Sequence, residues 1–132
     1  MSKYVYPAII SKDEDGYCVS FPDIDGCYTD GDTLADAIEN AEDALCLMLY
    51  DMEEDGKELP VASDVKSIST EENQIISLVA CDTLEYRQYY DNKAVKKTLT
   101  IPNWLNVMAE KRNVNFSQTL QEALISQLGI TR

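Results

Sequence analysis

Between Val95 and Ile101 the chain alternates, with Val95, Leu99 and Ile101 apolar and Lys96, Thr98 and Thr100 basic or hydroxylic. This is the period-two pattern of a strand buried on one side. Lys97 falls on the apolar side and breaks the alternation, so the regular strand begins at Thr98 and the Lys97 ammonium reaches solvent along its own stem. Pro102 ends the strand and suits the first turn of a helix, where its missing N–H costs nothing. Trp104, Leu105, Met108 and Ala109 then recur at spacings of three and four, which predicts an amphipathic helix of about three turns closed by Lys111, Arg112 and Asn113. Asn115 is a suitable cap for a second helix, with Gln118 three residues on as in a capping box. Phe116, Leu120, Ala123, Leu124 and Leu128 form its apolar stripe, and Gly129 stops it.

The tail is therefore strand, helix, turn, helix, from Val95 to Ile130. Its strand has no partner within its own segment, and so small a unit cannot bury Trp104, Phe116 and several aliphatic side chains alone. A second copy supplies both needs, with the strands paired antiparallel and the helices interlocked beneath them. The product is an intertwined dimer whose two-stranded ribbon fits the major groove of B-DNA. Lys96-Lys-Thr-Leu-Thr-Ile-Pro102, the Trp104-Leu105 helix and the Asn115-Phe-Ser117 start of the next resemble a ribbon-helix-helix DNA-binding domain. Carried over by position, the resemblance implies that Lys96, Thr98 and Thr100 point into the groove. It also implies that Asn115, Phe116 and Ser117 bring backbone N–H groups and a hydroxyl to a phosphate.

Charge divides the chain at the same place. From Lys93 onward there are six basic residues (Lys93, Lys96, Lys97, Lys111, Arg112, Arg132) and two acidic (Glu110, Glu122), a net charge of +4. The whole chain holds 11 basic and 24 acidic residues, which leaves 5 and 22 for the first 92 positions, a net charge of −17. No single partner suits both parts. We read an acidic domain over 1–90 and a DNA-binding and dimerisation domain over 93–132, joined by the polar run Tyr89-Tyr-Asp-Asn-Lys-Ala94.

In the acidic domain, Tyr4 to Ile10 is a strand apolar on both sides. Asp13-Glu-Asp-Gly16 is a hairpin turn, and Tyr17 to Phe21 is the return strand. Pro22-Asp-Ile-Asp-Gly26 makes a second turn before a short strand at Cys27-Tyr-Thr29, completing an antiparallel meander. Asp32 or Thr33 caps a long amphipathic helix carrying Leu34, Ala37, Ile38, Ala41, Ala44, Leu45, Met48 and Leu49 through about Asp51. Its other side is acidic at Asp36, Glu39, Glu42 and Asp43, and the acidity continues through Asp55. Gln74 to Cys81 is apolar on both sides and reads as an internal strand, followed by a short helix over Thr83 to Tyr90. The fold class is α+β, with a β-β-β-α-β-α domain and then a β-α-α domain.

Cys18, Cys27, Cys46 and Cys81 form no Cys-x-x-Cys pair and lie within hydrophobic patterns, which reads as four buried thiols. With no histidine anywhere, a zinc site and the usual neutral-pH general base are both missing. We expect no metal, no cofactor and no catalytic residue. No apolar run approaches the length that spans a bilayer and no basic-then-apolar signal opens the chain, so a cytoplasmic protein with no membrane partner is expected.

Tyr6-Pro-Ala-Ile-Ile10, the segment from Asp15-Gly-Tyr-Cys-Val to Asp25-Gly-Cys27, and Gly31-Asp-Thr-Leu-Ala-Asp-Ala37 before an acidic helix resemble the HicB antitoxin family. The resemblance implies a first domain similar to a truncated, partial ribonuclease-H-like fold and a second, DNA-binding one. It implies that the chain binds and masks a small basic HicA toxin that cleaves messenger RNA, represses its own operon through operator DNA, and forms a heterotetramer with the toxin. The charge of the acidic domain agrees, because a protein that holds RNA phosphates is positive and a surface at −17 attracts it with fast, salt-sensitive association. Asp13, Glu14 and Asp15 on one turn and Asp23 and Asp25 on the next are the candidate toxin contacts, with loop solvation the simpler account of any one of them. A magnesium-dependent nuclease of the ribonuclease H type needs a carboxylate in the middle of its first strand, and Tyr4 to Ser11 has none. The alternative is a stand-alone ribbon-helix-helix transcriptional regulator whose N-terminal domain senses a ligand.

Overall fold

The computed structural model describes residues 3–130, so Arg132, counted above in the charge of the tail, lies outside the described residues. The chain divides into two units between Lys93 and Ala94.

The first unit is a four-stranded antiparallel sheet in the order β3-β2-β1-β4, built from β1 (Lys3–Asp13), β2 (Gly16–Ser20), β3 (Tyr28–Gly31) and β4 (Gln74–Asp82). One long helix, α1 (Leu34–Glu54), covers one face, and a short helix, α2 (Thr83–Tyr90), follows β4 directly. The chain order β-β-β-α-β-α is the one expected from the sequence. Helix α1 starts at Thr33, whose hydroxyl accepts the Asp36 N–H at 3.1 Å. Ala37, Ala41, Leu45 and Leu49, spaced by four, form its buried stripe. They meet Tyr6, Ala8 and Ile10 of β1, Val19 of β2 and Val79 and Cys81 of β4 in a single core. Full burial of Leu45 and Leu49 contributes about 1.5–3 kcal/mol each, and Leu45→Ala would cost about 2–5 kcal/mol through the cavity it leaves.

The helix can approach this closely because of Gly31: a Cβ there would stand 2.4 Å from the Ala37 nitrogen. At Gly16, which ends the hairpin turn with φ of +139°, a Cβ would lie 2.7 Å from the Gly31 carbonyl oxygen. Pro7, inside β1, pairs with Leu78 of β4, whereas the β1–β2 register begins only at Ile9↔Ser20. The missing N–H of Pro7 therefore removes no bond to β2.

The turn between β2 and β3 does more than reverse the chain, since Ile24 within it is 2% exposed and belongs to the core. Asp23 beside it accepts two bonds from Ser63, from the backbone N–H at 2.9 Å and from the hydroxyl. The Tyr6 hydroxyl donates to the Pro60 carbonyl. These contacts, with Leu59 against the core, hold the irregular 57–63 stretch in place.

Two expectations for this unit are corrected by the fold. Strand β4 is not internal but lies at the sheet edge, paired with β1 alone, and Ile75 and Leu78 on its two sides are 56% and 60% exposed. Apolarity on both sides mimics a central strand, but here one side of β4 packs on the core and the other is open. The four cysteines are free thiols but not all buried: Cys27 and Cys81 are, Cys46 is half-buried, and Cys18 is exposed on the sheet face away from α1.

The second unit holds α3 (Asn103–Lys111) and α4 (Phe116–Leu128). Pro102 stands just before α3 and its carbonyl accepts the Asn106 N–H at 3.1 Å. Asn113, at φ 55°, ends α3 with the two bonds of a Schellman turn, Asn113 N–H to the Glu110 carbonyl at 3.0 Å and Val114 N–H to that of Ala109 at 3.1 Å. Gly129 and Ile130 close α4 the same way, on Ser126 and Ile125. The Asn115 side chain accepts the Gln118 N–H at 3.1 Å, but Gln118 directs its own amide to Glu122 at 3.3 Å, so only the forward half of a capping box is made.

Residues 91–102 carry no helix or strand. The strand expected from Val95 to Ile101 is not formed within one chain, because a ladder needs a neighbour and none of the described residues pairs with it. Among the described residues of this unit none is buried. Val95 is 80% exposed, Leu99 60%, Trp104 65% and Phe116 45%.

Candidate functional site

The first unit presents acid on several sides. Asp36, Glu39, Glu42, Asp43, Asp51, Glu54 and Asp55 are exposed on and just after α1. At the β1–β2 turn, Asp13, Glu14 and Asp15 are exposed; Asp13 accepts the Asp15 N–H at 2.9 Å and faces the Cys18 thiol at 3.7 Å. Asp25 is exposed, whereas Asp23 is half-buried and engaged by Ser63. Of the five candidate acids, the structure thus gives Asp23 a local structural role, a contact 40 residues away in sequence that no local pattern signals.

One member of the acidic run has a different role. Glu53 accepts bonds from the Tyr4 hydroxyl at 2.8 Å and the Thr83 hydroxyl at 3.1 Å, and pairs with Arg87 at 3.2 Å. Arg87 also pairs with Glu54 and lies over the Tyr50 ring, 4.6 Å from its centre. Burial opposes the Glu53 charge, but the bonds from Tyr4, Thr83 and Arg87 outweigh it and hold its carboxyl below the ordinary value. Burial, and then the bond to Glu53, push the Tyr4 phenol up to about 12.

A cavity of about 500 Å³ is lined by Glu42, Asp43, Cys46, Cys81, Asp82, Glu85, Tyr86 and Tyr89. The neighbouring Cys46 thiol, and then burial, push the Cys81 thiol up there. The Asp82 carboxylate caps α2, accepting the Leu84 and Glu85 N–H groups at 3.0 and 3.3 Å. Among the described residues no group of three or more His, Cys, Asp or Glu side chains is arranged to hold a metal ion. No helix among them is long and apolar enough to cross a membrane.

In the second unit Lys96, Thr98 and Thr100 are exposed on the unpaired segment, and Asn115, Phe116 and Ser117 stand together at the start of α4. The Phe116 and Ser117 N–H groups fall in the first turn, where a helix offers them no acceptor, so they are free to meet an anion. The six candidate residues thus lie on two elements of one unit, the unpaired segment and the α4 start.

The chain is thus a negatively charged sheet-and-helix unit followed by a small helical unit whose apolar side chains stay exposed. Residues 6–126 match the family model of the HicB-like antitoxin of bacterial toxin-antitoxin systems, and the chain belongs to that family. It is 35% identical over 101 residues to an uncharacterised 14.9 kDa protein of Haemophilus phage HP1, a match covering 74% of this chain and 73% of that one. It is 42% identical over 64 residues to the antitoxin HicB 2 of Photorhabdus laumondii, covering 48% of this chain and 46% of the relative. Among solved structures it is similar to a chain of a toxin-antitoxin complex from Streptococcus pneumoniae, with a TM-score of 0.61 at 30% identity, covering 95% of this chain and 99% of that one. It is also similar to the antitoxin HicB3, with a TM-score of 0.53 at 31% identity, covering 98% and 100%. A chain of the HicA3 and HicB3 toxin-antitoxin complex matches with a TM-score of 0.51 at 33% identity, covering 60% and 99%. The protein is thus a HicB antitoxin of a toxin-antitoxin system.

Proposed function

We propose that the acidic first unit binds a HicA-type toxin and masks its RNA-cleaving site, while the second units of two chains pair to repress the operon at its operator. Two exposed Val95–Ile101 segments would pair antiparallel and place Val95, Leu99 and Ile101 over the helices, with Lys96, Thr98 and Thr100 facing the groove. The α4 starts of both chains, at Asn115, Phe116 and Ser117, would clamp phosphates on either side. The observation that carries this reading is a unit with no buried residue among its described ones, yet with Val95, Leu99, Trp104 and Phe116 between 45% and 80% exposed. A second copy turns that exposed surface into a core.

On the toxin side the support is electrostatic. A body at net −17 attracts a protein built to hold RNA phosphates, and attraction of this kind speeds encounter. The test is co-expression of the chain with the HicA-type protein of the same operon, followed by mass measurement with and without operator DNA. A two-to-two complex that binds DNA is the expected result; a monomeric chain that neither binds the toxin nor shifts DNA would overturn the reading.

A further inference from the structure

An antiparallel sheet covered on one face usually alternates apolar and polar residues, and β1 and β4 depart from that rule. Their register, Val5↔Ala80, Pro7↔Leu78 and Ile9↔Ile76, stacks their second apolar rows into one patch on the face away from α1. Val5 there is 50% exposed and Leu78 60%, while Ile9 and Ile76 are half-buried and Pro7 between them is fully buried. On the same face Asp13 and Asp30 are exposed towards the hairpin side, and Asp82 stands at the far end opposite Lys3. An apolar centre with a mostly acidic rim calls for an apolar contact carrying basic neighbours.

We propose that this outer sheet face, centred on Leu78, Ile76 and Val5, is where the HicA-type toxin docks. The inference rests on the functional reading above and assigns the surface that reading leaves open. A second copy of the chain is the less suitable occupant, because it would bring one −17 body and its acidic rim against another. A basic protein meets the same rim with opposite charge while its apolar side chains cover the patch, the arrangement of a buried centre and polar margin that stable interfaces share.

The test is calorimetric titration of the full-length chain with the HicA-type protein of the same operon. Leu78→Asp and Ile76→Asp should each weaken binding by about 30-fold or more, as disrupting a residue at the centre of an interface does. Val61→Asp, at a loop position 90% exposed and outside the sheet, should leave it unchanged. Binding by Leu78→Asp within about threefold of wild type would overturn the docking surface and leave the toxin-binding function standing. A wild-type chain that does not bind the toxin would overturn both. Should Leu78→Asp instead lower the mass of the free chain, the face joins two copies and the proposal falls. If that variant proves unfolded, amide exchange of wild-type β4 decides: slowing on toxin addition supports docking there, and no change rules it out.

Discussion

The Tyr4 hydroxyl and the Glu53 carboxylate are 2.8 Å apart, a bond that ties the first strand to the last turn of α1 across 49 positions of sequence. Thr83 and Arg87 bond the same carboxylate, so one side chain joins β1, α1 and α2. Because the folded state holds Glu53 below its ordinary value of 4.5, its contribution is present above that value and is lost as pH falls through the folded value. Tyr4, raised to about 12 from 10.0, contributes fully below pH 10.0 and loses that contribution as pH rises towards 12. Thermal unfolding between pH 3 and 12 should therefore show losses at both ends. Glu53→Gln should lower stability at neutral pH by about 1–3 kcal/mol and flatten the acid limb; an unchanged acid limb would show that Glu53 does not set it.

Leu99→Asp places a charge on the apolar side of the Val95–Ile101 segment. It should yield a chain that no longer pairs through its tail and no longer shifts operator DNA, while still binding toxin. Sedimentation and gel shift at micromolar protein measure both; a shift at wild-type concentration would rule out the paired-strand model.

Thr98→Ala and Thr100→Ala should each relax base preference by about 1–3 kcal/mol, the discrimination that one good base-edge interaction supplies. Lys96→Ala should weaken binding to all sequences and reduce the slope of log affinity against log salt by about 1. Operator and scrambled duplexes titrated over a salt series separate the two effects, and equal weakening on both duplexes for the threonine variants would exclude them from base readout.

Asp23 and Asp25 are two positions apart, and their variants should differ in kind. Asp23→Ala releases Ser63 and should cost about 1–2 kcal/mol of stability with little change in toxin association. Asp25→Lys should leave stability unaltered and slow toxin association at low salt, the difference vanishing as salt rises. Stopped-flow association and denaturant unfolding of each variant decide the matter, and equal association rates at low salt would remove Asp25 from the steering surface.

Much of the fold is legible from local pattern. The four-residue spacing of Ala37, Ala41, Leu45 and Leu49 marks α1, the pair Asp32 and Thr33 marks its start to within one residue, and the Asp-Gly steps mark both turns of the meander. Strand β4 is visible in the sequence but its place at the edge is not, because alternation reports which faces are apolar and not which are covered. The Asp23–Ser63 and Tyr6–Pro60 bonds join positions 40 and 54 residues apart, so no window along the chain contains both ends. Ile24 reads as a plain turn residue, although a lone aliphatic side chain among aspartates and a glycine is a visible sign that the turn reaches inward. The candidate residues of the tail lie on the unpaired 95–101 segment and at the start of α4, and the strand expected there is absent because a ladder needs a second strand that the described residues do not supply.

On the proposed pairing of two tails, the segment at 95–101 would act as a gauge of abundance. If each DNA-competent ribbon needs two tails, then at dilutions below the pairing constant the occupied operator rises with the square of the free chain. A cell making little of this protein would leave its own promoter open, and modest accumulation would close it sharply, with thresholding built into geometry instead of into any added sensor.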